Sequence, residues 1–214
     1  MADPNRRNSR LVPAARDELC LEFANTRFWR GSHPETETLN DISDVLSWCE
    51  RAKLIDGRSA GEIGAWERAH RTQAEHLFDR AIAARETIYT LLCAKAAGRG
   101  VADRDVDALN QLLAGAPCRV NLIFTKDGNM WRLPSATPDV ANLLAPVLWS
   151  VGDLLAGDRL QRVRLCANEK CRWLFLDDSK SGTRRWCSMS SCGNRAKAHR
   201  HYIRKTSQSA EPAT

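Results

Sequence analysis

Four cysteines arranged as two matched pairs, Cys166-x4-Cys171 and Cys187-x4-Cys192, constrain this chain more than any other feature. Fifteen residues separate the pairs. A tetrahedral zinc site takes four soft ligands, commonly as two local pairs, each on a turn tight enough to point both sulfurs inward. ANEK inside the first pair and SMSS inside the second suit such turns. Four thiolates complete the tetrahedron and leave no open position, so the spacing predicts a structural Zn2+ and not a catalytic one. An iron–sulfur cluster also takes four cysteines, though in runs spaced differently from these. Four scattered structural thiols are the third reading, and matched pairs weigh against it.

The residues around the pairs suggest how the site is built. RWLFLD, DSKSG and TRRW read as strand, turn and strand, with Gly182 free to take a positive φ. A helix is expected to begin near Cys192, with Asn194 near its start. Knuckle, hairpin and ligand-bearing helix together make a treble-clef-like layout. Trp173, Phe175 and Trp186 are expected to pack around the hairpin, and His199 and His201 to lie on the helix surface. So short a segment cannot bury much core of its own, and a bound metal is the usual substitute.

Charge is divided unevenly along the chain. Residues 1–158 hold 19 Lys and Arg against 22 Asp and Glu, whereas residues 159–205 hold 13 against 3. The overall balance of +6 therefore hides a segment of +10. Four thiolates around a divalent ion would reduce that to about +8. A cationic appendage on a mildly acidic body fits a polyanionic partner, with a merely solvated basic surface as the plain alternative.

The first 158 residues follow mostly helical periodicity. LCLEF (residues 19–23) fits either a short helix or a strand. Ile42, Val45, Leu46 and Cys49 share one helical face, and Ile63 and Trp66 open another helix. Leu77, Ala81, Ala84, Ile88, Leu91 and Leu92 form a long stripe ending at Gly98. Asp103 is expected to cap the helix carrying Val106, Leu109 and Leu113. The period then changes: CRVNLIF and MWRL flank Asp127-Gly128 as a hairpin. Thr137-Pro138 is expected to open a last helix running from Val140 to a C-terminal cap at Gly157. The reading is an α+β chain: a mainly helical body with a small antiparallel hairpin over residues 11–158, then a treble-clef-like zinc finger over 159–207. Polar tails are expected at residues 1–10 and 208–214.

The N-terminus lacks a secretory pattern, and the most apolar stretch, residues 140–157, is broken by Asn142, Pro146 and Asp153. A cytoplasmic protein without membrane association is expected. Cys20, Cys49, Cys93 and Cys118 fall on or near apolar faces and read as core. No Ser/His/Asp set, phosphate-cradling glycine loop or metal-plus-base set occurs, so no enzyme is expected.

Several short motifs carry a family resemblance. Cys166 and Cys171, FLDDS (residues 175–179), RRWCSM (184–189) and CGNR (192–195) resemble the CGNR zinc finger. LEFANTR (21–27), DVLSWC (44–49) and LNQLLA (109–114) are similar to the ABATE domain that precedes this finger in bacterial proteins described as stress-induced transcription regulators. Cys49 stands where that resemblance leads one to expect an apolar residue. The resemblance implies zinc binding, a mixed α and β body and DNA binding.

On that reading Arg184, Arg185, Arg195, Lys197, Arg200, Arg204 and Lys205 are the candidate nucleic-acid contacts, with duplex DNA as the expected partner and RNA as the alternative. A protein-interaction module without any nucleic-acid role is a further alternative. One finger covers little DNA, which favours a homodimer. Asn25, Arg27 and Trp29 could line a pocket for a small-molecule effector, or Asn25 could end a helix beside a solvated Arg27.

Overall fold

The computed structural model describes residues 9–14, 16–126, 128–198 and 202. The expected tail at 208–214 and the segment 1–8 lie outside the described residues.

The chain opens with β1 (Ser9–Pro13), followed by α1 (Leu19–Ala24), β2 (Arg27–Phe28) and β3 (Thr36–Glu37). LCLEF is thus helical, and α1 buries Leu19, Cys20, Leu21, Phe23 and Ala24. Helices α2 (Ile42–Arg51), α3 (Gly57–Ala69), α4 (Arg71–Ala96) and α5 (Asp103–Gly115) follow. Asp41 and Asp56 cap α2 and α3, their carboxylates accepting from the backbone of Asp44 and Ser59. Asp103 is not a cap: it is the first residue of α5, behind Ala102, where its charge faces the positive end of the helix dipole.

Helix α4, 26 residues and about 39 Å long, is the spine of the body. Ala74, Leu77, Ala81, Ala84, Ile88, Leu91 and Leu92 are buried along it, and it touches α1, α2, α3 and α5. The hairpin follows as β4 (Asn121–Thr125) and β5 (Gly128–Pro134). Next come α6 (Val140–Leu143) and α7 (Ala145–Ala156), two helices where the sequence suggested one. Pro146 accounts for the break, since it cannot continue the helical hydrogen bonding of the preceding turn. The cap of α6 is Asp139, which accepts from Asn142 N at 3.0 Å, and not Thr137.

The hairpin is joined by a third strand that the sequence did not suggest. β1 pairs antiparallel with β5, Arg10 opposite Leu133 and Val12 opposite Trp131, giving the order β1-β5-β4. Ser9 and Arg10 therefore belong to the sheet and not to a tail. Arg10 is only 4% exposed. Its guanidinium donates to the side chain and the backbone carbonyl of Asn142, at 2.7 and 2.5 Å, which offsets the cost of burying a charge.

The basic segment begins with a 3-10 turn at Asp158–Arg162 and the paired strands β6 (Val163–Leu165) and β7 (Leu174–Leu176). Val163, Leu174 and Leu176 are buried in the same apolar core as α1 and α4. The finger is therefore not an appendage on a linker: its base is a layer of the body's core.

Candidate metal centre and cationic surface

The hairpin of the finger is β6 with β7, not β7 with TRRW. Its strands flank the first cysteine pair, so Cys166 and Cys171 sit on the connecting knuckle. Residues 183–186 run alongside without strand structure, tied by Ala167 N donating to Arg185 O at 2.9 Å. Gly182 has the expected positive φ, at 63°. The second pair spans a wide helical turn, Met189–Gly193, continuing into helical residues 194–198.

The four candidate ligands converge. The sulfurs of Cys166, Cys171, Cys187 and Cys192 all lie within 4.8 Å of one another. Cys171 and Cys187 are 3.7 Å apart, Cys187 and Cys192 3.8 Å. A tetrahedron with ~2.3 Å zinc–sulfur bonds needs edges of about 3.8 Å, so the cluster fits zinc as it stands. Of the four thiols, Cys187 is the acidic member: hydrogen bonding with Cys171, then with Cys166 and Cys192, lowers it to about 6, against the cost of burial. Burial pushes Cys166 up to about 11, and hydrogen bonding to Cys187 raises Cys171. Zinc, when bound, would hold all four as thiolates and lock the two knuckles together.

The turns have supports that the cysteine spacing did not reveal. Asn168, inside the first pair, donates to Cys192 Sγ at 3.4 Å and accepts from Lys170 N at 3.1 Å, and its carbonyl takes Cys171 N at 2.8 Å. Asp177, fully buried, accepts from Ser179 N, Ser179 Oγ and Arg184 N. Hydrogen bonds from Ser179, then from the Arg184 backbone, hold its carboxyl below the usual range. An Asx residue inside an x4 turn, and the acid-serine run FLDDS, were the signals available in the sequence. Gly193 is close-packed: a Cβ there would come within 2.8 Å of Met189 Sδ.

The body grips the finger through the residues expected to line an effector pocket. The Asn25 amide donates to Leu174 O at 2.8 Å, and its oxygen accepts from Leu174 N at 3.1 Å, replacing a strand partner with a side chain. Arg27 is not a solvated cation: it pairs with Glu35 at 2.5 Å. Trp29, at φ 57°, packs against the cysteine cluster, with the Arg195 guanidinium 4.5 Å above its ring. The structure thus gives Asn25 and Trp29 roles in the body–finger interface, whereas Arg27 pairs within the body. Two further ties had no signal in the sequence. Gly31 N donates to Lys170 O at 3.2 Å, in an approach so close that a Cβ would lie 1.8 Å from Glu169 O. Tyr89 on α4 donates its hydroxyl to Arg172 O at 2.9 Å.

Behind the interface lies a charge network. Arg85, fully buried on α4, makes two 2.6 Å hydrogen bonds to Glu37 and one of 2.9 Å to Glu86. Arg30 reaches Glu86 at 2.7 Å and stacks on Tyr89 at 3.8 Å.

The candidate nucleic-acid residues divide into distinct groups. Arg184 is exposed but bonded to its own finger: it donates to the carbonyls of Trp186, at 2.9 Å, and Cys187, and lies over Phe175. Arg185 lies beside Trp186, and the exposed Arg195 rests on Trp29. Lys197 is exposed. Arg200, Arg204 and Lys205 lie outside the described residues, as do His199 and His201. Lys170, Arg172 and Lys180 add exposed cations around the finger. Of its three acids, Asp177 is buried, Asp178 is paired with Arg159 at 2.8 Å, and Glu169 is exposed.

Two family models match the chain, and their boundary falls where the helical body meets the cysteine-bearing segment. Residues 17–158 match ABATE, described as "Putative stress-induced transcription regulator", and residues 162–205 match the CGNR zinc finger. The chain belongs to the ABATE family. A comparison with curated proteins gives no match.

The remaining cysteines of this ABATE chain have other fates. Burial pushes Cys20 and Cys49 up to about 12, consistent with inert core thiols. Cys93 is half-buried, and Cys118 is exposed instead of belonging to the core. Among the described residues no helix is long and apolar enough to cross a membrane.

Proposed function

We propose that this ABATE chain is a DNA-binding transcription regulator, with a four-cysteine zinc site that holds the finger rigid and takes no part in chemistry. One observation carries the reading: the finger's exposed cations outnumber its acids, since Asp177 is buried and Asp178 is neutralised by Arg159, leaving Glu169 as the exposed acid beside them. Lys180, Arg185, Arg195 and Lys197 then act as phosphate-binding groups on a fixed frame, with Arg200, Arg204 and Lys205 continuing the basic run in sequence. Arg184 is reassigned from contact to scaffold, because two of its three nitrogens donate to carbonyls at the second knuckle.

The test is fluorescence anisotropy of the zinc-loaded chain against duplex DNA and structured RNA at matched salt, with genomic pull-down to recover sites. Affinity for DNA that falls steeply with salt, with DNA preferred, supports the reading. RNA outcompeting DNA makes the chain an RNA-binding protein. Binding to neither overturns both and leaves a protein-interaction module.

A further inference from the structure

The three-stranded sheet has two unlike edges. β1 carries a buried arginine and ends at Pro13, features that discourage pairing with another chain. β4, the opposite edge, reads Asn-Leu-Ile-Phe-Thr, with neither charge nor proline between Asn121 and Thr125. It also exposes large apolar side chains: Phe124 is 78% exposed, the adjoining Val120 74% and Leu122 41%. Leu122 pairs with Trp131 in the ladder and so shares its face, and Phe124 follows on that face two residues later. Trp131 packs into the small core of Val12, Leu133, Ala145 and Trp149, so Leu122 and Phe124 prolong an apolar surface beyond the last strand.

We propose that β4 pairs antiparallel with β4 of a second copy of this chain, joining two three-stranded sheets into one of six strands. The strand is self-complementary about a two-fold axis at Leu122. Leu122 then faces its own copy, Asn121 faces Ile123 of the partner subunit, and Phe124 meets the segment at Val120. The charges agree with this register: Lys126 follows the strand directly, and antiparallel pairing sends the two Lys126 to opposite ends, about 27 Å apart by strand rise. Arg119 at the other end is already neutralised by Asp153, at 2.6 Å. An uncharged strand offers nothing to a polyanion and asks nothing of an acidic partner, whereas an identical strand satisfies both its backbone and its side chains. The inference stands on the sheet and does not depend on the DNA reading.

Sedimentation equilibrium of the full zinc-loaded chain over a concentration series tests it, together with hydrogen exchange of the β4 amides. The wild type is expected to dimerise. Leu122→Lys with Phe124→Glu is expected to shift the dissociation constant by at least about a hundredfold, with helical circular dichroism and zinc content unchanged. Phe124→Lys alone, at a side chain that is mostly solvated, guards against a folding defect and should weaken the dimer in the same direction. Amides of β4 should exchange faster in either variant. A wild type that stays monomeric at all concentrations, or a folded double variant that dimerises as before, overturns the proposal.

Discussion

The carboxamide of Asn25 forms two hydrogen bonds with a single residue of another segment, donating to the carbonyl of Leu174 and accepting from its amide. Leu174 is buried on β7, and Asn25 ends α1, so one side chain stitches the helical body to the first strand pair of the finger. Hydrophobic burial alone would leave the register of that contact loose. The paired hydrogen bonds fix it, and they do so next to the knuckle that carries Cys166 and Cys171.

Asn25→Ala should therefore destabilise the whole chain. Each buried polar group of Leu174 left without a partner costs about 1–3 kcal/mol, so a loss of roughly 2–6 kcal/mol is expected in urea unfolding, as a shift in midpoint without a change in slope. Asn25→Asp should be no milder, because a carboxylate cannot donate to Leu174 O. A variant within experimental error of wild type would show that this pair of hydrogen bonds does not organise the interface.

Removing the metal should have a local effect first. Val163, Leu174 and Leu176 remain held in the body's core, whereas the second knuckle has little apolar packing besides the cysteine cluster itself. Chelation, or Cys187→Ser, is expected to abolish the one-to-one zinc stoichiometry and to open residues 178–198 to trypsin. Most of the helical circular dichroism should persist, because the helices of the body lie in the core formed around α4. Protons compete with zinc for thiolates, so zinc release should also occur on acidification. Full retention of zinc in Cys187→Ser would remove the cluster from its assigned role.

The body's charge network sets an acid limit that is separate from the metal. Burial raises the Glu37 and Glu86 carboxyls, but hydrogen bonds and charge from Arg85 and Arg30 outweigh it and leave both depressed. A depressed folded-state pKa means fewer bound protons in the folded chain. The stabilisation is therefore fully present above the unfolded carboxylate value, about 4.3, and is lost as pH falls through the folded values. Zinc-free protein should show a urea midpoint that drops below about pH 4.5, and Glu37→Gln should flatten that slope. Arg85→Met should cost about 3 kcal/mol, at the lower end for breaking a buried pair because Glu37 is partly solvated.

The metal site was legible in the sequence because four ligand identities and two spacings determine it almost alone. The body's helices were legible from periodicity, since α4 buries one continuous stripe. What escaped were long-range pairings. The start of β1, Ser9 and Arg10, looks like the end of a polar tail until Asn142, 132 residues from Arg10, supplies partners for its guanidinium. TRRW has the composition of a strand, yet Val163–Leu165 takes the place beside β7, a choice that local propensity cannot make. Asn25, Arg27 and Trp29 drew attention for the right reason, as polar and aromatic residues after an apolar run. Asn25 does end a helix, as one reading of the sequence had it, but Asn25 and Trp29 find their partners in the finger, where the sequence offered only a ligand pocket or solvent.

Trp29 should matter to binding without touching the nucleic acid. The Arg195 guanidinium rests on its ring, an interaction worth about 0.5–1 kcal/mol at exposed sites. Under the proposed function, Trp29→Ala should weaken DNA binding about two- to fivefold with zinc content unchanged, and Trp29→Phe should recover part of that deficit. Equal affinities for wild type and Trp29→Ala would mean that Arg195 either does not touch DNA or needs no positioning.

Lys197 and Arg184, both cations of the finger, separate contact from scaffold. Lys197 is exposed and makes no ion pair among the described residues, so Lys197→Glu should leave zinc affinity and stability near wild type. It should weaken DNA binding at every sequence tested and reduce the salt slope by about one unit, the share of a single phosphate. Arg184 donates to the carbonyls of Trp186 and Cys187 and covers Phe175. Arg184→Ala should therefore act on the finger's stability, speeding zinc release to a chelator by exposing the second knuckle. Once zinc is saturating, its DNA salt slope should match that of wild type. Measuring both variants for chelator kinetics and for salt dependence gives opposite patterns if these assignments hold. The same pattern for both would mean that Lys197 and Arg184 share one role.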